Sequence, residues 1–395
     1  MFERPLRIAL YTYATQPRGG VAHTIELGNA LHDLGHDVVL HALDEGGGFF
    51  RTPRCSIRTI AVAAHGGDIT SFVRARIAAY VTELDADTRE EKPFDIHHAH
   101  DGISGSALAT LAERGRIAGF VRTVHHADDF RDPVLAAIQA RSIVAARACY
   151  VVSDCWRDDV RARFGMDATR VTNGVDAVRF VPADGAERAR TRRRFGLAGE
   201  PLLLSIGGIE ARKNTLGTLE AFARVRERRP NAQLVIAGGA SVFDHSSYRR
   251  AFAARAEELG LELGSSVIVL GVVADAEMPR LVAASDALVF PSLTEGFGLV
   301  VLEALACDIA VITSAIAPFT EYLTDREAEL VDPHASEAIA AGILAALEPA
   351  TRARRIAAGR AVVERYAWAT SARTHVARYE ETIGAGNTVR GALAR

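Results

Sequence analysis

The stretch PSLTEGFGLVVLE, residues 291–303, decides how this chain is interpreted. It lies between an apolar run typical of a buried strand, residues 287–290, and an apolar run with helical spacing, residues 299–306. A strand, a tight glycine-containing turn and a helix start leave several backbone N–H groups without partners at the helix N-terminus. Those groups and the helix dipole together predict a site for an anion such as phosphate.

Two glutamates bracket this helix start, Glu295 in the turn and Glu303 in the second helical turn. At about 1.5 Å per residue, Glu303 lies on the order of 6 Å beyond Leu299, which is about the reach from a diphosphate to the ribose of the same nucleotide. The spacing suggests a cradle in which the helix tip holds phosphate, Glu303 the ribose hydroxyls and Glu295 the sugar hydroxyls. The alternative is a pair of solvated acids at a helix end.

The pattern P-S-x-x-E-G-F-G-x-x-x-x-E after a strand resembles a motif of the retaining glycosyltransferases of family 4 (glycosyl transferases group 1), which have the GT-B fold. The resemblance extends over essentially the whole chain. It implies a donor that is a UDP-, GDP- or ADP-sugar, a catalytic Glu295 that faces the donor sugar, and a Glu303 that binds the ribose. It also implies that the residues between them bind the donor, namely Gly296, Phe297, Gly298 and Leu299.

Length and composition restrict the class of protein. A chain of 395 residues with 49% hydrophobic and 24% charged residues predicts two soluble globular domains. The net charge of -3 gives no basic surface for nucleic acid, and only two basic side chains are lysines, Lys92 and Lys213. The sequence shows no signal peptide, no run of roughly 18 apolar residues and no disulfide or metal spacing among its cysteines. We therefore expect a cytoplasmic protein, at most peripheral at the inner membrane face.

Strand and helix patterns alternate along the chain, which predicts an α/β fold with two Rossmann-like, doubly wound parallel-sheet domains that face each other across a cleft. We place an acceptor-side domain at residues 1–180 and a nucleotide-sugar donor domain at 181–366, with the linker within 176–200. The arginine-rich run 188–194 in that linker is interpreted as a solvated helix face rather than a membrane-binding surface. The resemblance implies that a C-terminal helix, about residues 367–385, packs back on the first domain. Strands are predicted at 7–13, 37–42, 57–62, 95–98, 120–123, 149–152, 170–172, 202–205, 233–237, 267–270, 287–290 and 310–313.

The segment SIGGIEARKN, residues 205–214, ends a predicted strand and begins the next helix. It resembles the family motif whose lysine contacts the donor diphosphate, and Lys213 matches that catalytic lysine. The resemblance also places Gly207 and Gly208 against the donor. Many members of the family carry an arginine where this chain has Gly208, so we expect Arg212 to supply the second cation. With these cations and a helix start available, no metal is expected.

Two segments of the first domain carry candidate residues. Gly19 and Gly20 precede the first helix in a turn that is not a G-x-G-x-x-G fingerprint, so dinucleotide binding is not supported. Glycine lets a backbone approach a ligand closely, and the resemblance places this turn at the donor phosphates. The segment TVHHAD, residues 123–128, resembles the family's T-V-H-D. His125 matches the histidine near the reacting carbon, and His126 stands where the family has aspartate.

Three further features are assigned to the site by the resemblance. The segment HHAHD, residues 97–101, offers several histidines, but adjacent strand residues point to opposite faces, so we expect His100 and Asp101 to line the cleft without a metal. Asn173 opens an N-G-V-D turn and is a further cleft residue. Val272 follows a strand where small residues leave room for the nucleotide base.

The predicted function is retaining transfer from a nucleoside-diphosphate sugar to a small-molecule, glycan or lipid acceptor, with no cofactor besides the donor substrate. In the front-face mechanism that the resemblance implies, the leaving phosphate accepts the acceptor's proton and no covalent enzyme intermediate forms. Two alternatives stay open at this point: a sugar-nucleotide epimerase of GT-B fold, and a non-catalytic nucleotide-sugar-binding protein. A donor-hydrolysis assay would separate an enzyme from the second.

Overall fold

The computed structural model describes residues 4–63, 68–86, 92–239 and 246–393. The chain divides into two compact units. The first runs from the N-terminus to Asn173 and includes the residues from Trp368 onward, and the second is Gly174–Ala367. Along the described ranges, no helix combines the length and the apolarity that a membrane crossing requires.

In its described residues, the first unit contains one parallel sheet of seven strands in the order β3-β2-β1-β4-β5-β6-β7. The strands are β1 (Arg7–Thr12), β2 (Asp37–Asp44), β3 (Ser56–Ala61), β4 (Ile96–Ala99), β5 (Val121–Val124), β6 (Ala148–Val151) and β7 (Ala168–Arg170). Helices connect them in the right order for parallel pairing: α1 (Gly19–Asp33), α2 (Ile69–Ala86), α3 (Gly102–Glu113), α4 (Pro133–Val144) and α5 (Asp154–Phe164).

The second unit, as far as it is described, contains one parallel sheet of six strands in the order β10-β9-β8-β11-β12-β13. The strands are β8 (Leu202–Ile206), β9 (Gln233–Ala237), β10 (Val267–Gly271), β11 (Ala287–Phe290), β12 (Ala310–Ser314) and β13 (Glu329–Val331). The helices are α6 (Gly185–Arg194), α7 (Thr215–Arg228), α8 (Ser246–Glu258), α9 (Met278–Ala284), α10 (Leu299–Ala306), α11 (Ser336–Leu347) and α12 (Pro349–Arg365), with short 3-10 turns at Ala211–Lys213 and Phe319–Glu321.

The central strands are mostly apolar and buried, as expected where helices cover both faces of a parallel sheet. All four residues of β11 and all five of β9 are buried, for example. Helix starts follow from local chemistry: the carboxylate of Asp101 accepts a hydrogen bond from Ser104 N at 2.8 Å, and Asp132 accepts one from Val134 N at 2.7 Å. These caps fix where the chain leaves the sheet.

The predicted α/β class with two Rossmann-like parallel sheets is confirmed. The predicted strands agree with the observed ones to within two residues, and β13 was not predicted. The predicted C-terminal helix is α13 (Trp368–Leu393), which belongs to the first unit and packs against α1. Ser371 Oγ also donates a hydrogen bond to the carbonyl of Thr172.

The division between the units lies at 173/174 and 367/368 rather than at 180/181 and 366/367. Residues 174–180 pack with the second unit: Val175 N donates to Tyr366 O at 2.9 Å, and Arg179 pairs with the carboxylate of Asp275 at 2.7 Å. The arginine run of the predicted linker is α6, packed against α9. Its Arg188 and Arg192 both pair with Asp286, at 2.6 and 2.9 Å, so these two side chains do not form the solvated face that the sequence suggested.

Candidate active site

The strand order places the candidate residues of the second unit together. Strands β8 and β11 are neighbours in the sheet although two strands separate them in sequence. From β8 the chain continues to β9 and β10 on one side of this pair, whereas from β11 it continues to β12 and β13 on the other side. The connections after β8 and β11 therefore leave in opposite directions. A parallel α/β sheet binds ligands in the crevice at such a topological switch point. The loop after β8 carries Lys213, and the loop after β11 carries Glu295.

Lys213 and Glu295 form an ion pair at this point. Lys213 Nζ lies 2.5 Å from Glu295 Oε2, and Arg212 Nη1 lies 3.3 Å from both carboxylate oxygens. The two loops are also joined through the backbone, since Leu293 N donates to Arg212 O at 2.9 Å. Lys213 Nζ lies 4.4 Å from the ring centre of Phe290, the last residue of β11, which is a cation–π contact.

Burial and charge oppose each other in this pair. Burial by itself raises the pKa of Glu295, but the charges of Lys213 and Arg212 outweigh it and bring that pKa down to about 2. Burial also lowers the pKa of the Lys213 ammonium, against the attraction of Glu295. Glu295 is therefore ionised at neutral pH. The buried carboxylate of Glu210 also lies 3.8 Å from Arg212, so two cations meet two carboxylates at the switch point.

Glycines let the loops after β8 and β9 touch through their backbones. Gly207 and Gly208 have φ values of +123° and +77°, and Gly238 has φ of +126°. A Cβ on Gly208 would lie 2.6 Å from the carbonyl oxygen of Gly239, and one on Gly207 would lie 2.7 Å from Lys213 Cε. A side chain at Gly208 would clash with the loop after β9 in this backbone conformation. Val272 packs against Gly239 and is 69% exposed.

The helix start after β11 has the geometry of an anion site. Gly298 is the N-cap of α10 with φ of +91°, and within the part of the chain that is described no side chain caps this helix. A Cβ on Gly298 would lie 2.6 Å from Phe319 Cε1. The ring of Phe297 stacks on Tyr322 at 4.8 Å, and the Tyr322 hydroxyl donates to Phe297 O at 3.1 Å. These contacts fix the turn so that the N–H groups of the first helical turn, from Leu299 on, face away from the helix.

Two glutamates complete this half of the site. Glu295 also accepts a hydrogen bond from Gly296 N at 3.2 Å, which holds the carboxylate over the turn. Glu303 lies in the second turn of α10 and is half-buried. The second unit thus brings together the predicted residues of the loop after β8 and those of the loop after β11.

The first unit has a switch point of the same kind between β1 and β4. Gly19 and Gly20 are the first two residues of α1 rather than a turn before it, and a Cβ on Gly20 would lie 3.5 Å from His125 Cδ2, so this helix start lies beside the histidine that follows β5. Asp101 caps α3 with one carboxylate oxygen, and burial raises its pKa. His100 follows β4, and its ring centre lies 5.8 Å from that of His125.

His23 on α1 also belongs to this group of residues, and the sequence analysis did not predict it. Its ring lies 4.5 Å from that of His125 and 5.2 Å from that of His100. Asn173, predicted as a cleft residue, is bonded to it: the amide oxygen Oδ1 of Asn173 lies 2.8 Å from His23 Nδ1. His23 is a polar residue among the buried positions of α1, and a polar residue at such a position is the signal that could have identified it.

The histidines of β4 itself have structural partners. His97 contacts Tyr11 through a hydrogen bond of 2.9 Å to the Tyr11 hydroxyl, whereas His98 bonds Tyr379 OH and Thr123 Oγ1, both at 2.7 Å. The two side chains lie on opposite faces of the sheet, because neighbouring strand residues alternate. His98 lies with its ring centre 4.0 Å from that of His100, and His100 is the member of this segment that groups with His23 and His125.

A helix N-terminus, two converging cations and two carboxylates at a switch point are suited to a nucleotide diphosphate with an attached sugar. The family profile described as glycosyl transferases group 1 matches residues 187–362, and the profile described as glycosyltransferase family 4 matches residues 17–179. This chain belongs to that family and is a glycosyltransferase that uses a nucleotide-sugar donor.

Similar proteins of known name belong to the same class. The chain is 30% identical over 231 residues to the O-antigen chain mannosyltransferase B of Escherichia coli, a match that covers 58% of this chain and 58% of that protein. It is 31% identical over 300 residues to the D-inositol 3-phosphate glycosyltransferase of Xylanimonas cellulosilytica, covering 71% and 70%. The crystal structure of Anabaena HepE with UDP and glucose superposes with a TM-score of 0.76 at 18% identity, covering 95% of this chain and 99% of that one. These structural neighbours are GT-B glycosyltransferases, which confirms the predicted fold.

Proposed function

We propose that this protein transfers a hexose from a nucleoside-diphosphate sugar to an acceptor hydroxyl with retention of anomeric configuration and without a divalent metal. One observation carries the proposal: Lys213 and Arg212 converge on Glu295 beside the N-terminus of α10. Together they supply fixed positive charge where a leaving diphosphate would lie and a carboxylate where the sugar would lie.

The chemistry requires that the bond between the anomeric carbon and the diphosphate oxygen breaks while the acceptor oxygen bonds to the same face of that carbon. The acceptor's proton passes to the leaving phosphate oxygen, so no enzyme nucleophile is needed. Negative charge develops on the diphosphate, and Lys213, Arg212 and the N–H groups at the α10 start would stabilise it. The convergence of Lys213 and Arg212 beside the start of α10 supports this role.

The donor sugar and nucleotide are assigned to different residues. Glu295 would bond the sugar hydroxyls, and Glu303, further along α10, would bond the ribose. The nucleotide base and the diphosphate would bind beside the backbone of Gly207, Gly208 and Val272, where small residues leave room. His125, beside Gly20, would contact the sugar or acceptor in the first unit.

The acceptor is proposed as a class. The matched relatives are named for an O-antigen chain and for D-inositol 3-phosphate, and a glycan or a polyol phosphate, free or lipid-linked, is the corresponding proposal here. A cytoplasmic location, peripheral at the membrane at most, stays a prediction.

Donor binding is testable before the acceptor is known. UDP-, GDP- and ADP-sugars are added to the protein, and the melting temperature is recorded. A donor at 100 times its dissociation constant stabilises the native state by about 2.7 kcal/mol. We expect one donor class to stabilise the wild type and to stabilise Lys213→Ala far less. Lys92→Ala is the matched control, since Lys92 is the other lysine and is exposed. Equal stabilisation of both variants would contradict the diphosphate assignment.

Catalysis is then tested with the donor found. Lys213→Ala is expected to lower donor turnover by roughly two to three orders of magnitude, the usual effect of removing one group that stabilises transition-state charge. Activity should persist after exhaustive treatment with EDTA. Loss of activity with EDTA and recovery with Mg²⁺ or Mn²⁺ would overturn metal independence. The anomeric configuration of the product, read by proton NMR, tests retention, and an inverted product would overturn it.

A further inference from the structure

Three imidazoles of the first unit meet in a buried group that the proposed transfer reaction does not explain. One ligand nitrogen from each of His23, His100 and His125 lies within 4.8 Å of those of the other two. His23 and His100 are buried and His125 is half-buried, so the group has one open side. The three residues come from α1, from the end of β4 and from the end of β5, next to the switch point of the sheet.

Ring nitrogens of all three histidines lack a hydrogen-bond partner among the described residues. Among the residues that the structure describes, His23 Nε2, His125 Nε2 and both ring nitrogens of His100 are buried without a hydrogen-bond partner. Buried polar atoms are nearly always satisfied, and each exception requires an explanation such as a bound water or ion. The neighbouring His98 differs, because both of its ring nitrogens are bonded. His375 Nε2, outside the group, is also buried without a partner among the described residues, but in the group all three rings have such a nitrogen.

Asn173 orients one of the three rings as metal sites commonly do. Its amide oxygen lies 2.8 Å from His23 Nδ1, so Nδ1 carries the proton and donates, and Nε2 is left with its lone pair. Histidines that bind metals almost always donate their other ring N–H to an oxygen acceptor in this way. The hydrogen bond selects the tautomer in which His23 Nε2 can be a ligand.

We propose that His23, His100 and His125 form a binding site for one divalent transition-metal ion of the Zn²⁺ or Co²⁺ kind. Three neutral imidazole nitrogens with an open fourth position are a known ligand set for zinc. Imidazole suits zinc, cobalt, nickel and copper, whereas Mg²⁺ takes oxygen ligands. The site thus differs in chemistry from a Mg²⁺ ion that would hold a diphosphate, and metal-independent transfer and metal binding here are compatible.

To bind a metal ion, the three ring nitrogens must come closer together and must carry no proton. Nitrogens at about 2.0–2.1 Å from a tetrahedral zinc lie roughly 3.4 Å from each other, so the rings draw together by side-chain rotation. Burial keeps the pKa of His23 at about 3 and those of His100 and His125 well below their usual value, so protons do not compete at neutral pH. Among the described groups that lower the pKa of His125, Arg122 is the permanent cation, and burial lowers the pKa of Arg122 itself against the attraction of Asp101.

The test measures metal binding to the purified full-length chain without any donor. Equilibrium dialysis with Zn²⁺ gives the stoichiometry, and Co²⁺ gives the intense visible absorption of a tetrahedral site. We expect one ion per chain in the wild type and none at this site in His100→Phe, which keeps a ring of similar volume and removes no hydrogen bond. His32→Gln is the matched control, because His32 is an exposed histidine at the end of α1, and it should bind as the wild type does.

A second variant tests the orienting role of Asn173. Asn173→Ala keeps all three ligands and is expected to weaken binding by about 10- to 100-fold, as loss of an outer partner usually does. Circular dichroism and melting curves establish that each variant is folded. Failure of the folded wild type to bind either ion, or equal binding by His100→Phe, would overturn the proposal and would indicate that water satisfies these nitrogens. Because the readout is metal binding alone, its failure is distinguishable from a failure of the proposed transfer activity.

Discussion

The ion pair between Lys213 and Glu295 permits a quantitative prediction for the second unit. We consider Lys213→Met, Glu295→Gln and the double variant. Methionine keeps the apolar stem that lies over Phe290 and removes the charge, and glutamine keeps the shape of the carboxylate. The pair is largely removed from water, since the side chains of Lys213 and Glu295 are 11% and 14% exposed. In Lys213→Met the carboxylate keeps its contacts to Arg212 at 3.3 Å.

The magnitude follows from these contacts. Breaking a buried ion pair by removing one partner costs about 3–5 kcal/mol. Arg212 is 42% exposed and compensates part of the carboxylate's charge, so the lower end, about 3 kcal/mol, is expected for Lys213→Met. In a domain of roughly 150–250 residues, 1 kcal/mol shifts the melting temperature by about 2–4 °C, so the expected fall is about 6–12 °C. The double variant should recover part of the loss, with a coupling energy on the order of 2 kcal/mol.

Differential scanning calorimetry of the four proteins at pH 7 measures these effects. Lys92→Met is the control for loss of a lysine charge at an exposed position, and its melting temperature should match that of the wild type. If the two single losses add to within about 0.5 kcal/mol in the double variant, the side chains are not coupled in solution. That result would refute both the ion pair and the electrostatic assignment of the switch point.

Three other perturbations have defined outcomes. Glu303→Ala should raise the donor KM by roughly tenfold with little change in kcat, because a ribose contact does not change during the reaction; steady-state kinetics check this, and a fall in kcat at constant KM would contradict it. Gly298→Ala should cost about 1–3 kcal/mol of stability, since its φ is +91° and the new Cβ would lie 2.6 Å from Phe319 Cε1; calorimetry measures the loss, and an unchanged melting temperature would contradict it. Burial lowers the pKa of His97 to about 4, so the contribution of its neutral ring to stability is present above pH 6.5 and is lost as the pH falls toward 4. Urea unfolding across that range should show a smaller pH dependence of the free energy of unfolding for His97→Gln. An equal dependence would count against this assignment.

The sheets were largely predictable because their strands are buried on both faces. Continuous apolar runs gave Gln233–Ala237 and Ala287–Phe290 with the bounds that the structure has. Strand β13 was missed because Glu329–Val331 has three residues and begins with a charged one, so no apolar run marks it. Its place is decided by pairing with β12, a contact that local sequence does not encode.

The arginine run of α6 shows a second limit. Its composition is typical of a solvated helix, yet Arg188 and Arg192 bond the carboxylate of Asp286 and backbone carbonyls at the end of α9. Those partners lie more than ninety residues further along the chain. A charge pattern along one helix reports the helix but not the acid that tertiary structure places against it. The same holds for Lys213 and Glu295, which motifs assign to one site without showing that they bond each other.

The two switch points of this chain differ in charge, and this difference supports their different assignments. At the second, the cations of Lys213 and Arg212 converge on the ionised carboxylate of Glu295 beside a helix N-terminus. A diphosphate gains attraction there, provided that Glu295 releases the lysine to it. At the first, burial favours neutral imidazoles at His23 and His125. Neutral nitrogens with free lone pairs bind hydroxyl protons or a metal ion better than they bind phosphate, which supports the proposal that the leaving diphosphate binds to the second unit.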